Sequence, residues 1–226
     1  MSQHDKFMAV IPAYNEAKHI AQIVEQTRQI LPVLVIDDGS TDNTAELAEA
    51  AGAEVIRLSP NRGKGAAMRA GFSRALELGC EAVITLDADG QHNPREIDRF
   101  LEVYKAQPVD LIIGKRDFSK MPLSRRLANT AGRWLFSWAM KRPIPDNQSG
   151  YRLISRALIK ELLDSTEQGF EFEVEMLVIC LKEHFKLDWV KISTVYAGES
   201  SHIHPLAHAR NFLRMIRITR QKMKHT

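Results

Sequence analysis

The sequence predicts an α/β fold, a parallel sheet with helices on both faces. Five short apolar runs in the first 115 residues alternate with stretches of helical spacing. The runs are apolar throughout rather than at every second residue, as strands buried on both faces require. Polar stretches follow four of them, and open sheets of this kind bind ligands at the carboxyl ends of their strands.

The elements follow in order. "FMAVIP" (7–12) reads as a strand and 17–30 as a helix, then "VLVID" (33–37) as a strand and 44–51 as a helix. "AEVIRL" (53–58) precedes a helix over 64–78, "AVITLD" (82–87) a helix over 94–106, and "VDLIIG" (109–114) is the next strand. Asn93, Pro94 and Glu96 suit the N-cap, N1 and N3 positions of a helix, and Ser40, Thr41 and Asp42 offer capping oxygens after "VIDD". Beyond 115 the pattern changes. A helix over 123–140 carries Leu123, Leu127, Ala131, Trp134, Leu135 and Trp138 on one stripe, flanked by Arg125, Arg126, Arg133, Lys141 and Arg142. Such a stripe suits a core-packed helix or a membrane interface. Residues 173–183 read as a helix and "DWVKISTV" (188–195) as a strand of alternating faces.

Composition bounds the function. With 226 residues, 44% hydrophobic and 26% charged, the chain can bury one substantial core. No apolar run approaches the roughly 18 residues that span a bilayer, and the start lacks a signal-peptide pattern, so a cytoplasmic protein is expected. Cys80 and Cys180 belong to no CxxC pair and read as buried, reduced thiols. A net charge of +3 does not argue for nucleic acid, but no acidic residue follows Glu199. In that tail Phe212, Met215, Ile216 and Met223 share a helical arc opposite Arg210, Arg214, Arg217 and Lys224, the pattern of a helix lying on an anionic leaflet or packed on the sheet. The organisation expected is a domain over 1–208 with a basic amphipathic helix over 209–226, part of the same domain or contacting a membrane.

"DADGQ" (87–91) carries the sharpest chemistry. If the strand persists past Leu86, Asp87, Asp89 and Gln91 face one way. Their hard oxygens suit Mg2+ or Mn2+, with phosphate and water completing the shell; a lone DxD also reads as an exposed Asx turn. "NRGKGAA" (61–67) lacks the spacing of a phosphate loop, and no GxGxxG follows the first strand. His202, His204 and His208 have no cysteine nearby and no acidic residue after them, which argues against a zinc site.

"PAYNE" (12–16), "DDGSTDNT" (37–44), "NRGKGAA" and "DADGQ", in this order, resemble family 2 glycosyltransferases of the GT-A fold, and the resemblance covers nearly the whole chain. It implies that Pro12, Tyr14 and Glu16 line a nucleotide pocket and that Asp37 and Asp38 contact base and ribose. It further implies that Arg62, Gly63 and Lys64 close the nucleoside side and that Asp87 lies near ribose or metal. Asp89 and Gln91 would hold a divalent ion, Mg2+ or Mn2+, bridging the diphosphate of a nucleotide-sugar donor. A metal there would neutralise charge developing on the departing nucleoside diphosphate.

"GKR" (114–116), "PLSRR" (122–126), "DNQSGYRLISR" (146–156), "FEFEVEML" (170–177) and "YAGESS" (196–201) resemble the polyprenyl-phosphate branch, typified by dolichyl-phosphate mannose synthase. The branch moves one hexose, from a GDP-mannose or UDP-glucose type of donor, to a polyprenyl phosphate. The resemblance implies that Arg116 and Arg125 bind the acceptor phosphate or donor diphosphate, with Ser149, Arg152 and Ser200 on the acceptor side. A phosphate acceptor is already ionised at neutral pH and needs no base, which leaves Asp146 to structure or acceptor positioning; for a hydroxyl acceptor Asp146 is the best base candidate. Direct displacement inverts the anomeric centre in either case. The sequence departs from the branch in having Asn147 and Gln148 where Pro and Thr are common, and in lacking the C-terminal membrane span of many members. The expected enzyme is peripheral on the cytoplasmic membrane face, with no nucleic-acid partner. A family 2 enzyme using a saccharide hydroxyl, and a non-catalytic basic protein binding membranes or nucleic acid, are the competing readings.

Overall fold

The computed structural model describes residues 6–116, 134–146, 149–165, 167, 169, 171–193, 217 and 220. Strands β1 (Phe7–Ala13), β2 (Val33–Asp37), β3 (Glu54–Arg57) and β4 (Ala82–Thr85) alternate with helices α1 (Ile20–Thr27), α2 (Thr44–Ala50) and α3 (Lys64–Glu77). A 3-10 turn, Pro94–Glu96, leads into α4 (Ile97–Ala106), followed by β5 (Leu111–Arg116). Residues 134–139 are helical. Then come β6 (Arg152–Ser155), α5 (Arg156–Leu162), α6 (Glu171–Lys182) and β7 (Leu187–Ile192).

The seven strands form one sheet in the order β3-β2-β1-β4-β6-β5-β7. β3, β2, β1 and β4 are parallel neighbours, and β5 pairs in parallel with β7. β6 runs antiparallel between β4 and β5, so the sheet is mostly rather than wholly parallel. The parallel expectation missed this strand because "RLIS" is only four residues long and begins on a charged one.

Alternate residues of each strand serve opposite faces. Val10 and Ile36 join Phe72 of α3 and Phe172 of α6 in one core layer. Ala9, Ile11 and Val35 join Ile20, Val24 and Phe100 in the other. Burying side chains of this size contributes about 1.5–3 kcal/mol each before the entropy of ordering them is counted. Gly71 lets α3 lie directly on the sheet, since a Cβ there would stand 2.5 Å from Val10 Cγ1. That close seat fixes the N-terminus of α3, and hence Lys64, over the carboxyl ends of β1 and β2. Cys80 and Cys180 are buried free thiols, as expected. No helix among the described residues is long and apolar enough to cross a membrane.

Candidate active site

The loops after β1 and β2 are laced together by the short polar residues of "PAYNE" and "DDGSTDNT". The Asn15 amide donates to Ser40 Oγ at 2.9 Å, the Glu16 amide to Thr44 Oγ1 at 2.8 Å, and the Thr41 amide to Asn15 Oδ1 at 2.8 Å. Asn15 sits at φ 56°, a left-handed conformation that asparagine tolerates better than most residues. Asp42 accepts the amides of Ala17 and Thr44. These side chains hold Pro12, Tyr14 and Glu16 at the rim of a cleft of about 390 Å³.

That cleft opens where β1, β2 and β4 end. Pro12, Tyr14, Glu16, Asp38, Gly63, Lys64, Asp87 and Asp89 line it, all of them expected from sequence. Ala13, Asn61, Ala67 and Ala88, which carry no charge to flag them, complete the lining. Asp38 is buried and accepts the backbone amides of Arg62 at 2.8 Å and Gly63 at 2.7 Å, so its carboxylate anchors the third loop across the cleft. Asp37, expected to contact base or ribose, is placed differently from Asp38. Its buried carboxylate accepts both the amide and the hydroxyl of Ser40, and it does not line the cleft. Arg62 is exposed and also lies outside the cleft lining.

The geometry expected of "DADGQ" changes as well. β4 ends at Thr85 and the chain turns, with Gly90 at φ 76° and the Gln91 amide donating to Asp89 Oδ1 at 2.9 Å. Strand alternation therefore does not bring Asp87, Asp89 and Gln91 together, and Gln91 does not line the cleft. Asp87 is placed from three sides. Its amide donates to Nδ1 of buried His92 at 3.1 Å, and its carboxylate meets Lys64 Nζ at 2.5 Å. Gly150 packs so close that a Cβ there would stand 2.5 Å from Asp87 Oδ2. His92 in turn packs against Tyr151, whose hydroxyl donates to the Asn93 carbonyl at 3.1 Å.

Lys64 also pairs with Glu173 of α6 at 2.6 Å. Burial alone would depress its ammonium, but the two carboxylates reverse that and hold it above the ordinary lysine range. Burial likewise works to raise Asp87, and the Lys64 charge overrides it, holding the carboxyl down to about 2. Asp89 is pushed up, first by burial and further by the charge of Asp87, against the Gln91 amide that favours its ionised form.

Among the described residues no group of three His, Cys, Asp or Glu forms a preassembled metal cage. A cleft carboxylate crowded by like charge is nonetheless the donor a hard cation relieves. Asp89, with Asp87 beside it, would suit a hard cation such as Mg2+ or Mn2+.

The acceptor-side residues separate into three groups. Arg116, at the end of β5, grips Asp146 through a two-pronged fork, Nε to Oδ2 at 2.7 Å and Nη2 to Oδ1 at 3.0 Å. The acceptor role expected of Arg152 is corrected, because its side chain is 1% exposed. Nε donates to the Ser149 carbonyl at 2.9 Å and Nη1 to the Glu173 carbonyl at 2.6 Å, so Arg152 fastens β6 to the start of α6. Ser149 is buried, and among the described residues its Oγ has no hydrogen-bond partner. Arg125, Ser200, Asn147, Gln148 and the three tail histidines lie outside the described residues. Sequence reasoning missed Glu173 as a site residue; the signal available was the alternation of acidic and apolar residues in "FEFEVEML", too regular for a helix that faces one way.

Comparison with known proteins places these features. Residues 8–163 match the family model described as Glycosyl transferase family 2. The chain is 29% identical, over 84% of its length and 86% of the relative's, to a UDP-N-acetylglucosamine–dolichyl-phosphate N-acetylglucosaminyltransferase of Methanococcus voltae. It is 32% identical to an undecaprenyl-phosphate mannosyltransferase of Micrococcus luteus, over 76% of each chain. A solved glucosyl-3-phosphoglycerate synthase of Mycobacterium tuberculosis, in complex with Mn2+, UDP and phosphoglyceric acid, superposes with a TM-score of 0.73. That likeness spans 95% of this chain and 76% of that one at 18% identity, and it establishes the shared GT-A fold.

Proposed function

Because the chain belongs to glycosyl transferase family 2 and is a glycosyltransferase, we propose that it transfers a single hexose from a nucleotide sugar to a polyprenyl phosphate, with inversion. The relatives named for dolichyl- and undecaprenyl-phosphate transfer support the acceptor class. The observation that carries the reading is the Arg116–Asp146 fork. Asp146, the carboxylate that a hydroxyl acceptor would require as base, is buried and its oxygens are engaged by a guanidinium. A phosphate acceptor makes no such demand. An ionised phosphate oxygen attacks the anomeric carbon from the face opposite the leaving group, and the bond from that carbon to the diphosphate oxygen breaks.

In this reading Asp38 and the Arg62 and Gly63 amides shape the nucleoside end of the cleft, and Asp87 and Asp89 hold Mg2+ or Mn2+ at the diphosphate end. When bound, the cation offsets the charge that accumulates on the departing diphosphate. Arg116, held by Asp146, presents a fixed cationic edge beside the acceptor path. The enzyme works as a peripheral protein at the membrane face. Trp134 and Trp138 are 69% and 50% exposed, and Arg220 lies 4.3 Å over the Trp138 ring with Lys141 and Arg142 nearby. The basic amphipathic pattern of 209–226 adds to this reading.

The test is mass spectrometry of lipid products after incubating the purified protein and Mg2+ or Mn2+ with a short polyprenyl phosphate and, separately, GDP-mannose, UDP-glucose or UDP-N-acetylglucosamine. A lipid one sugar heavier, absent with EDTA, is expected from one donor. Nucleotide release with transfer to a saccharide hydroxyl but never to lipid phosphate would overturn the acceptor class.

A further inference from the structure

Lys64 occupies an unusual place for a lysine. It lies between two carboxylates from separate elements, Asp87 after β4 at 2.5 Å and Glu173 at the start of α6 at 2.6 Å. Glu173 is itself buried, and Arg152 Nη1 fixes its backbone carbonyl at 2.6 Å. The ammonium is thus suspended between a cleft carboxylate and a carboxylate anchored in the core. Asp87 has little freedom to move away, since Gly150 backs it on one side and His92 holds its amide. What can shift is the flexible lysine stem, which has four rotatable bonds where Asp87 has two.

We propose that Glu173 is a positioning residue that acts through Lys64, drawing the ammonium toward α6 so that Asp87 can offer its carboxylate to a divalent cation in the donor cleft. The inference rests on the metal-assisted donor site proposed above. With Glu173 in place, Lys64 keeps a carboxylate partner when its stem swings away and another cation takes Asp87, so releasing Asp87 leaves no buried charge alone. Without Glu173, Asp87 is the carboxylate left beside the ammonium among the described residues, and the two cations compete for it. Glu173 touches neither donor nor acceptor in this account; it sets where the competing charge sits.

The test measures Mn2+ binding directly, by electron paramagnetic resonance of free Mn2+ with saturating UDP or GDP and no sugar, so it does not depend on turnover. Glu173→Gln, nearly isosteric, is expected to bind Mn2+ at least about fivefold more weakly, the lower range of site-to-site coupling. Lys64→Gln removes the competitor, and in that background Glu173→Gln is expected to change Mn2+ affinity by less than about twofold. Circular dichroism and melting of each variant establish that it is folded. Should Lys64→Gln not fold, Lys64→Met takes its place as the background without the competing charge. Unchanged Mn2+ binding by folded Glu173→Gln overturns the inference and leaves the donor site standing. An equal loss in both backgrounds also overturns it, since Glu173 then acts by its own charge. A wild type that binds no Mn2+ with either nucleotide overturns the metal site and this inference together.

Discussion

Arg116 and Asp146 form a two-pronged ion pair at 2.7 and 3.0 Å, with the Asp146 side chain 1% exposed and the Arg116 side chain 19% exposed. Breaking a buried pair from one side leaves a charge without compensation, a mechanism that costs about 3–5 kcal/mol in fully buried cases. Because Arg116 keeps some solvent, Arg116→Ala is expected to destabilise the protein by about 2–3 kcal/mol, read by urea denaturation. The chemical role separates from the structural one by rate. Asp146→Asn is expected to lower kcat by about tenfold through a misplaced Arg116, whereas loss of a general base costs about 10²–10⁴-fold. A drop in that larger range, with the acidic limb of the pH profile lost, would make Asp146 a base and the acceptor a hydroxyl.

Gly150 is required by contact rather than by backbone freedom. A methyl group there would stand 2.5 Å from Asp87 Oδ2 and 2.6 Å from Oδ1, so the carboxylate must move by several tenths of an ångström or more. Gly150→Ala is therefore expected to fold, with Thr85 Oγ1 still donating to the residue 150 carbonyl, yet to lose about 100-fold in kcat/KM. Sugar transfer at subsaturating donor measures it. Activity within twofold of wild type would show that the position of Asp87 is not critical.

Asp89 is predicted to matter far more for turnover than for folding. Its carboxyl is raised by burial and by the charge of Asp87, so ionised Asp89 is a strained group whose removal does not weaken the native state. Asp89→Ala is expected to keep or slightly raise the melting temperature while lowering transfer by at least about 10³-fold, and EDTA is expected to do the same to the wild type reversibly. A large loss of stability in Asp89→Ala would assign Asp89 a structural role.

Much of this site was legible in the sequence because the parallel sheet puts consecutive strand ends on one edge, so four polar stretches far apart in the chain had to meet. What was not legible is which polar residues face the cleft. Asp37 and Asp38 are adjacent and chemically identical, yet Asp37 is turned to Ser40 while Asp38 reaches the Arg62 and Gly63 amides. Arg152 was placed on the acceptor side by resemblance, and the carbonyls of Ser149 and Glu173 that make its burial tolerable come from segments the sequence does not show to be neighbours. Gln91 was assigned by strand periodicity, which the turn at Gly90 ends. The β6 strand was hidden by the same buried arginine.

The membrane-facing reading makes the last prediction. Trp134, Trp138, Lys141, Arg142 and Arg220 border one groove, and among the described residues no acidic one lines it. Two exposed indoles beside three cations match an interface where aromatic rings sit at headgroup depth and each nearby cation gains about 1 kcal/mol from anionic lipid. Arg220, stacked over the Trp138 ring, adds a cation–π contact to this cluster. Co-sedimentation with vesicles containing phosphatidylglycerol is expected at moderate salt and not with neutral vesicles, accompanied by a blue shift of tryptophan emission. Trp134→Ser with Trp138→Ser is expected to reduce binding at all salt concentrations, because it removes apolar insertion. Arg220→Glu is expected to reduce it mainly at low salt, where charge attraction is unscreened. Transfer to a detergent-solubilised short acceptor should survive the tryptophan changes if the face serves only to reach the membrane. Binding to anionic vesicles that is indifferent to all three substitutions would move the contact to another part of the chain.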